Sequence, residues 1–403
     1  ISSISEFYGF DKIYTPLVDE PRFYNPLIKG RIFENWHPVF GKSRGGVDIF
    51  LRPSVALSLV RAHITHKMND LPHPVKFFFT GESILSFGRE ASSLVARSEL
   101  GLVMMGEEGP VAEAEIAQVF WGAVEKLGIK EGIEIRINAT GCSDCRAAFR
   151  SSFTGHFRSR VARLCKNCKR NLKKTPTRVL FCQEEKCKIV GGGAPQVLDF
   201  LCETCKKHLR GFLEFLEEVK IPYFLDPKFF GDNPWFDTLI FEFIWKAKTF
   251  DEEEKKGDQL VFAEGGRMSK AGTLMAGRKL DVAVGSVFFE ALGALLLSKT
   301  GGQEQGTEPK VFLTHLGDLA KRKGLSLLEE LRQGGIEARE SLGRDSIKSQ
   351  LNLAEKMGAQ LALILGQKEA LDNTVIVREV QSGIQETIPQ EKLIEFLKKK
   401  LKK

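Results

Sequence analysis

All eight cysteines of this 403-residue chain lie between positions 142 and 205. They fall into four pairs: Cys142/Cys145, Cys165/Cys168, Cys182/Cys187 and Cys202/Cys205. Two- and four-residue spacers of this kind let a tight turn bring both thiolates to one tetrahedral Zn²⁺, about 2.3 Å from each sulfur. The set makes two closed four-sulfur sites, or one site with spare thiols, and the pairs can join in sequence order or cross. His208, just after Cys205, is an alternative donor. A closed site holds a fold and offers no open position to substrate, so the expectation is structural zinc. Ile1-Ser-Ser-Ile-Ser-Glu lacks the basic start and apolar run of a secretory leader, which makes disulfides the weaker expectation and a cytoplasmic setting the stronger one.

The same region is basic. Thirteen Lys and Arg fall between Cys142 and Lys188, against Asp144, Glu184 and Glu185. That stretch carries +10 in a chain of net +7, leaving −3 for the remainder. A local basic field on a near-neutral body is the footprint of an anionic partner, most often a phosphate backbone. Arg146, Arg150, Lys169, Arg170, Lys173 and Lys174 are the expected RNA contacts. The terminal Lys398-Lys-Lys-Leu-Lys-Lys adds to that field or is a solvated helix end.

The length allows two to four domains. With 42% hydrophobic and 28% charged residues, disordered and collagen-like chains are excluded. The longest apolar stretch, Val282–Leu297, is broken by Glu290, so no membrane span is expected. Val75-Lys-Phe-Phe-Phe reads as a buried strand, Ala112–Leu127 as a helix, and Ile133-Glu-Ile-Arg-Ile-Asn as a strand running into the cysteine region. Leu209–Val219 reads as a helix with Phe212, Phe215, Leu216 and Val219 inward. Thr238–Trp245 and Gln259–Ala263 read as paired antiparallel strands around a polar tip at Asp251, and Asp281–Ser298 as an apolar helix with strand character at its start. After the Gly-rich stretch 299–310, short strands at Val311, Ile336, Leu361 and Thr374 alternate with helices over Leu319–Arg332, Ser346–Met357 and Gln390–Leu401. That pattern predicts a mostly parallel sheet.

From Tyr8 to the C-terminus the order of motifs resembles the histidyl-tRNA synthetases, which are class II aminoacyl-tRNA synthetases. Tyr8-Gly-Phe-Asp-Lys-Ile-Tyr-Thr-Pro-Leu is similar to the family's dimer-forming motif 1, and Leu51-Arg-Pro with Leu57-Ser-Leu-Val-Arg-Ala to its Leu-Arg-Pro-Glu helix. Ile137-Asn-Ala-Thr-Gly-Cys-Ser-Asp-Cys-Arg, Leu164–Leu180 and Cys202–His208 follow its insertion. Ile221-Pro-Tyr-Phe-Leu-Asp-Pro, Ile240-Phe-Glu-Phe and Gly265-Gly-Arg match segments around its active site. Leu331-Arg-Gln-Gly-Gly-Ile-Glu-Ala and Ile364-Leu-Gly-Gln-Lys-Glu resemble its anticodon-binding domain. The resemblance implies an α+β class II core, an antiparallel sheet flanked by helices, over residues 1–140 and 209–298. An inserted Cys-rich basic domain would occupy 141–208, a linker 299–310, and an α/β anticodon-binding-like domain 311–403. It implies a homodimer, tRNA as partner, and ATP with Mg²⁺ if the chemistry is retained. Arg52, Glu242, Gly265, Gly266 and Arg267 are the family-site positions kept.

Other positions depart from the family. Where relatives carry Glu and Thr to hold the amino acid's ammonium group, this chain has Ser54 and Ala56. The arginine that meets the reacting phosphate falls on Gly231, and the two tyrosines of the histidine pocket on Trp235 and Phe236. Val287-Phe-Phe-Glu-Ala-Leu-Gly replaces the segment with the ATP-clamping arginine. Surrogates for motif 2 are Arg89 and Glu90, reached through a three-residue insertion, or Arg97. Adenylate formation needs prepositioned cations around a phosphoryl transition state, and losing one such group costs about 10²–10³ in rate. The expected function is therefore a tRNA or structured-RNA binder, regulatory or accessory, with adenylate formation impaired. A working histidine–tRNA ligase is the alternative, and a regulatory subunit of another enzyme the third reading.

Overall fold

The computed structural model describes residues 1–30, 32, 39–86, 94–174, 176–229, 235–246, 259–300, 309–341, 343 and 346–401, with the backbone alone at 85, 86, 173, 174 and 300. They form two bodies, Ile1–Gly302 and Gln303–Lys403. In chain order the strands of the first are β1 (Asp11–Ile13), β2 (Val18–Asp19), β3 (Val39–Lys42), β4 (Asp48–Leu51), β5 (Val75–Ser86), β6 (Leu94–Met105), β7 (Ile133–Gly141), β8 (Tyr223–Leu225), β9 (Asp237–Lys246), β10 (Gln259–Arg267) and β11 (Val282–Phe288).

Eight of these form one sheet in the order β1-β5-β6-β11-β10-β9-β7-β8. The six inner strands pair antiparallel, while the edge strands β1 and β8 run parallel to β5 and β7. β2, β4 and β3 make a separate small sheet. Along each inner strand alternate residues face opposite sides. One side carries Phe78, Leu102, Ile135, Ile137, Phe241 and Phe243, buried under the helices Val111–Lys126, Glu203–Glu218 and Phe289–Thr300. Phe79, Val103, Met105, Val282 and Val284 belong to a second cluster with the helix Val55–Thr65.

Two helix expectations shift. The helix expected from Leu209 begins at Glu203; Phe212 and Leu216 are buried, but Phe215 and Val219 are exposed. The strand character at the start of the helix expected over Asp281–Ser298 is a full strand, β11, and the helix begins only at Phe289. All seven residues of β11 are buried, so the central strand has no polar alternation to announce it. The polar tip at Asp251 lies outside the described residues.

The cysteine region leaves the sheet at the end of β7. It is helical: Ser143–Arg158, Lys166–Lys174 and Glu185–Gly192. Its core is Phe149, Phe153, Phe157, Leu164, Leu172, Val179 and Val190. The three phenylalanines recur every fourth residue and so form one buried stripe.

The second body has β12 (Val311–His315), β13 (Ala338–Glu340), β14 (Leu361–Leu365), β15 (Thr374–Glu379) and β16 (Gln385–Pro389), ordered β13-β12-β14-β15-β16. The first three are parallel and the last two antiparallel, so the expected mostly parallel sheet is mixed. Leu327 and Leu331 of the helix Asp318–Gln333, with Leu393 and Leu397 of Gln390–Lys400, are buried in one cluster with Val311, Leu313 and Leu363. Lys399 and Lys400 pair with Glu395, Glu379 and Glu386, as in a solvated helix end. Among the described residues no helix is long and apolar enough to cross a membrane.

Candidate functional site

On the helix-poor side of the large sheet, the register sets Ser286, Glu264, Glu242 and Arg136 in a row across β11, β10, β9 and β7. Glu242 and Glu264 are buried, and each meets a guanidinium. Arg136 bonds Glu242, lies 3.9 Å from Asp226, and stacks over the Phe229 ring at 4.5 Å. Arg97, from β6, reaches Glu264 at 3.6 Å and lies 3.9 Å over the Phe288 ring. Each guanidinium offsets the cost of burying its carboxylate, so neither partner can be removed cheaply. Beside this row the buried Glu99 accepts the Ser83 hydroxyl and, at 3.2 Å, the Val55 N–H. It thus sits at the N-terminus of the helix Val55–Thr65, where unpaired N–H groups favour an anion. Arg136 and Glu99 were not singled out in the sequence; only their places in alternating strands hinted at a shared face.

The expected site residues have varied placements. Arg52 is buried and donates to the carbonyls of Glu82 (2.7 Å), Thr15 (2.7 Å) and Pro16 (3.2 Å), and to the Thr15 hydroxyl (2.8 Å). Its fork braces two backbone segments, 15–16 and the one at Glu82. Ser54 caps the helix Val55–Thr65, accepting the Ala56 N–H at 3.2 Å, and Ala56 is buried in the apolar cluster. Trp235 is buried in that cluster, with Phe236 packed against it. Arg89, Glu90 and Gly231 lie outside the described residues.

Gly265 and Gly266 bring β9 and β10 close. A Cβ at Gly265 would strike the Phe241 ring, and one at Gly266, where φ is +157°, would strike the Leu239 carbonyl. Arg267 follows at a bulge and turns inward. It grips the wholly buried Glu113 with Nε at 2.8 Å and Nη2 at 2.5 Å, and donates to the Glu107 and Gly109 carbonyls at 2.6 and 2.7 Å. His208 is 2.9 Å from the same Glu113 carboxylate. His208 is therefore no member of a sulfur cluster, contrary to the alternative raised by its spacing. Burial alone would raise the Glu113 pKa, but His208 and Arg267 together hold it below the ordinary carboxylate value.

The cysteines form two nested groups. Cys142, Cys145, Cys202 and Cys205 make one, and Cys165, Cys168, Cys182 and Cys187 the other, all sulfurs of a group lying within 4.8 Å of one another. The outer group closes the neck where the insert leaves β7 and returns in the helix Glu203–Glu218. Backbone N–H groups already point at sulfur: Cys142 to Cys205 at 3.3 Å, Cys202 to Cys145 at 3.1 Å, and Cys165 to Cys187 at 3.3 Å. Such bonds favour thiolates, the form that binds metal. Backbone donors pull Cys165 and Cys202 down to about 7, whereas burial pushes Cys145, Cys168, Cys187 and Cys205 up. Four crowded sulfurs of this kind fit a tetrahedral cation and could hold one.

Of the expected RNA contacts, Arg150, Lys169 and Arg170 are exposed and Arg146 is half-buried. The side chains of Lys173 and Lys174 lie outside the described residues.

Residues 310–400 match the family model described as an anticodon binding domain. The whole chain is similar to a histidine–tRNA ligase of Halothermothrix orenii, 31% identical over 98% of this chain and 93% of that one. The chain belongs to the histidyl-tRNA synthetase family. Another relative, a histidine–tRNA ligase of Desulforamulus reducens, is 28% identical over 97% of this chain and 91% of its own length. Among solved structures, the apo histidyl-tRNA synthetase of S. aureus shares the fold with a TM-score of 0.71 at 24% identity, covering 98% of this chain and 93% of that one. A Bacillus halodurans structure titled as an ATP phosphoribosyltransferase regulatory subunit/histidyl-tRNA synthetase shares it at 0.60, with 12% identity over 91% of this chain and 92% of that one. The family's class II core and anticodon-binding domain are thus both present.

Proposed function

We propose that this chain is a tRNA-binding member of the histidyl-tRNA synthetase family in which histidyl-adenylate formation is impaired, acting as a regulatory or accessory factor. The observation that carries the reading is the fate of Ser54 and Ala56. In place of a carboxylate and a hydroxyl for the amino acid's ammonium group stand a helix cap and a buried methyl. Arg52 and Arg267 are spent as buried braces, so neither guanidinium is available to a phosphoryl transition state. RNA contact through Arg146, Arg150, Lys169, Arg170, Lys173 and Lys174 needs only charge and shape, and the terminal domain supplies a second RNA-reading body. A homodimer belongs to the same reading.

Each cysteine group is proposed to hold one Zn²⁺. The ion would supply cross-linking of the insert, not Lewis-acid chemistry, because four sulfurs complete its coordination. The thiolates of Cys142, Cys145, Cys202 and Cys205 would lock the neck, and the inner four would lock the basic helix Lys166–Lys174.

Histidine-stimulated ATP–pyrophosphate exchange tests the reading: the expected rate is about 10³-fold or more below that of a working relative. Robust exchange would establish the second reading, a working ligase using ATP and Mg²⁺, which the kept Glu242, paired with Arg136, and the surrogate Arg97, paired with Glu264, favour.

A further inference from the structure

Two large apolar side chains of the insert stand in solvent, Phe181 at 61% and Ile189 at 68% exposure. Both flank the inner cysteine group: Phe181 directly precedes Cys182, and Ile189 follows Cys187 by two positions. The shared sulfur cluster therefore fixes both backbones to one base. Pro176–Phe181 is a 3₁₀ turn, in which residues three apart eclipse, so Arg178 stands on the same face as Phe181. On the helix Glu185–Gly192, Lys186 and Ile189 share a face by the same spacing. Arg178, Lys186 and Lys188 are exposed; Glu184 and Glu185, at the turn between the two elements, are the acidic residues among them. The core of this insert already holds three phenylalanines with Phe200 packed against it, so a further one left in water on a +10 segment calls for an occupant with both an apolar face and negative charge.

An unpaired nucleotide has both, because its base offers a flat π-face and its phosphate a charge. A paired duplex hides the base faces, and a uniformly acidic protein surface would leave the ring uncovered. Resting on the tRNA reading above, we infer that Phe181 is a base-stacking residue that receives an unpaired nucleotide of the bound RNA, with Arg178 and Lys186 meeting the flanking phosphates. The insert then reads single-stranded RNA as well as backbone charge.

The test uses the full chain and two probes, an acceptor-stem hairpin with a single-stranded 3′ tail carrying 2-aminopurine and the same hairpin with a blunt end. Phe181→Ala is expected to weaken the tailed hairpin about tenfold or more and to leave the blunt one unchanged. Phe181→Trp should restore the affinity, and wild type should quench the 2-aminopurine where Phe181→Ala does not. An unchanged melting temperature and metal content show that Phe181→Ala folds. Equal weakening of both hairpins, or of neither, overturns the inference while leaving the tRNA reading intact. So does a wild-type chain that self-associates through this face and dissociates on Phe181→Ala with RNA affinity unaltered. A wild-type chain that binds neither hairpin overturns the tRNA reading and this inference together.

Discussion

Glu113 has no exposed surface and answers to two partners, the Arg267 guanidinium from β10 and the His208 ring from the helix that closes the insert. Removing Arg267 would leave the carboxylate buried beside His208 alone. Arg267→Ala is therefore expected to cost about 3–5 kcal/mol in denaturant melts, and Arg267→Lys to recover only part, since an ammonium cannot reproduce the fork. The triad also sets an acid limit. The Glu113 carboxyl is held below its ordinary value near 4.5 in the folded chain, so its stabilisation is complete above that value and lost as pH falls through the folded one. Stability measured against pH should drop on that acid limb, and Glu113→Gln should flatten it. Little of this was legible beforehand. Arg267 was marked by resemblance as a site residue, and Glu113 looked like any polar residue of an amphipathic helix. The pairing of residues 154 apart depends on where β10 ends, which no local pattern states.

Elements were more readable where their environment differed on two sides. β7 announced itself by alternation, and the helix Val111–Lys126 by its apolar stripe. β11 showed only as strand character at the start of an apolar helix because both of its faces are covered, and the phenylalanine stripe of the insert is diluted among arginines. Cysteine spacing gave the pairs but not their nesting, which follows from the return of the chain beside β7. The nesting makes separable predictions. Elemental analysis should find about two zinc per chain. A Cys182→Ser/Cys187→Ser variant should lose one zinc and lose amide-exchange protection over 166–192, while the β5–β11 amides and the neck stay protected. Chelation of the wild type should open the insert without melting the sheet, because metal binding energy there is folding energy. A metal-free chain with a protected insert would remove zinc from the account and leave the phenylalanine core as sole support.

At the scale of the molecule, the proposed reading makes charge and connectivity decide how RNA is held. The stretch from Cys142 to Lys188 carries +10 against −3 elsewhere, so binding should be governed by counterion release from a local site. Each phosphate contact contributes roughly 0.7–0.9 to the slope of log affinity against log salt. Reversing Lys169, Arg170, Lys173 and Lys174 to Glu should therefore flatten that slope by about 3 and weaken tRNA steeply at low salt, with melting of the sheet core unaltered. The terminal body gives a second measure. It has its own sheet and core, and its family match spans 310–400, so on the proposed reading it grips a different part of the same RNA. A tether between two such bodies turns the second contact into an intramolecular one, raising affinity by about 10²–10⁴ over either alone. Removing Gln303–Lys403 should cost tRNA affinity on that scale yet leave the salt slope of the insert in place. A loss of slope together with the loss of affinity would mean that the terminal body, not the basic insert, supplies the electrostatic contact, and the order of the two contributions would have to be exchanged.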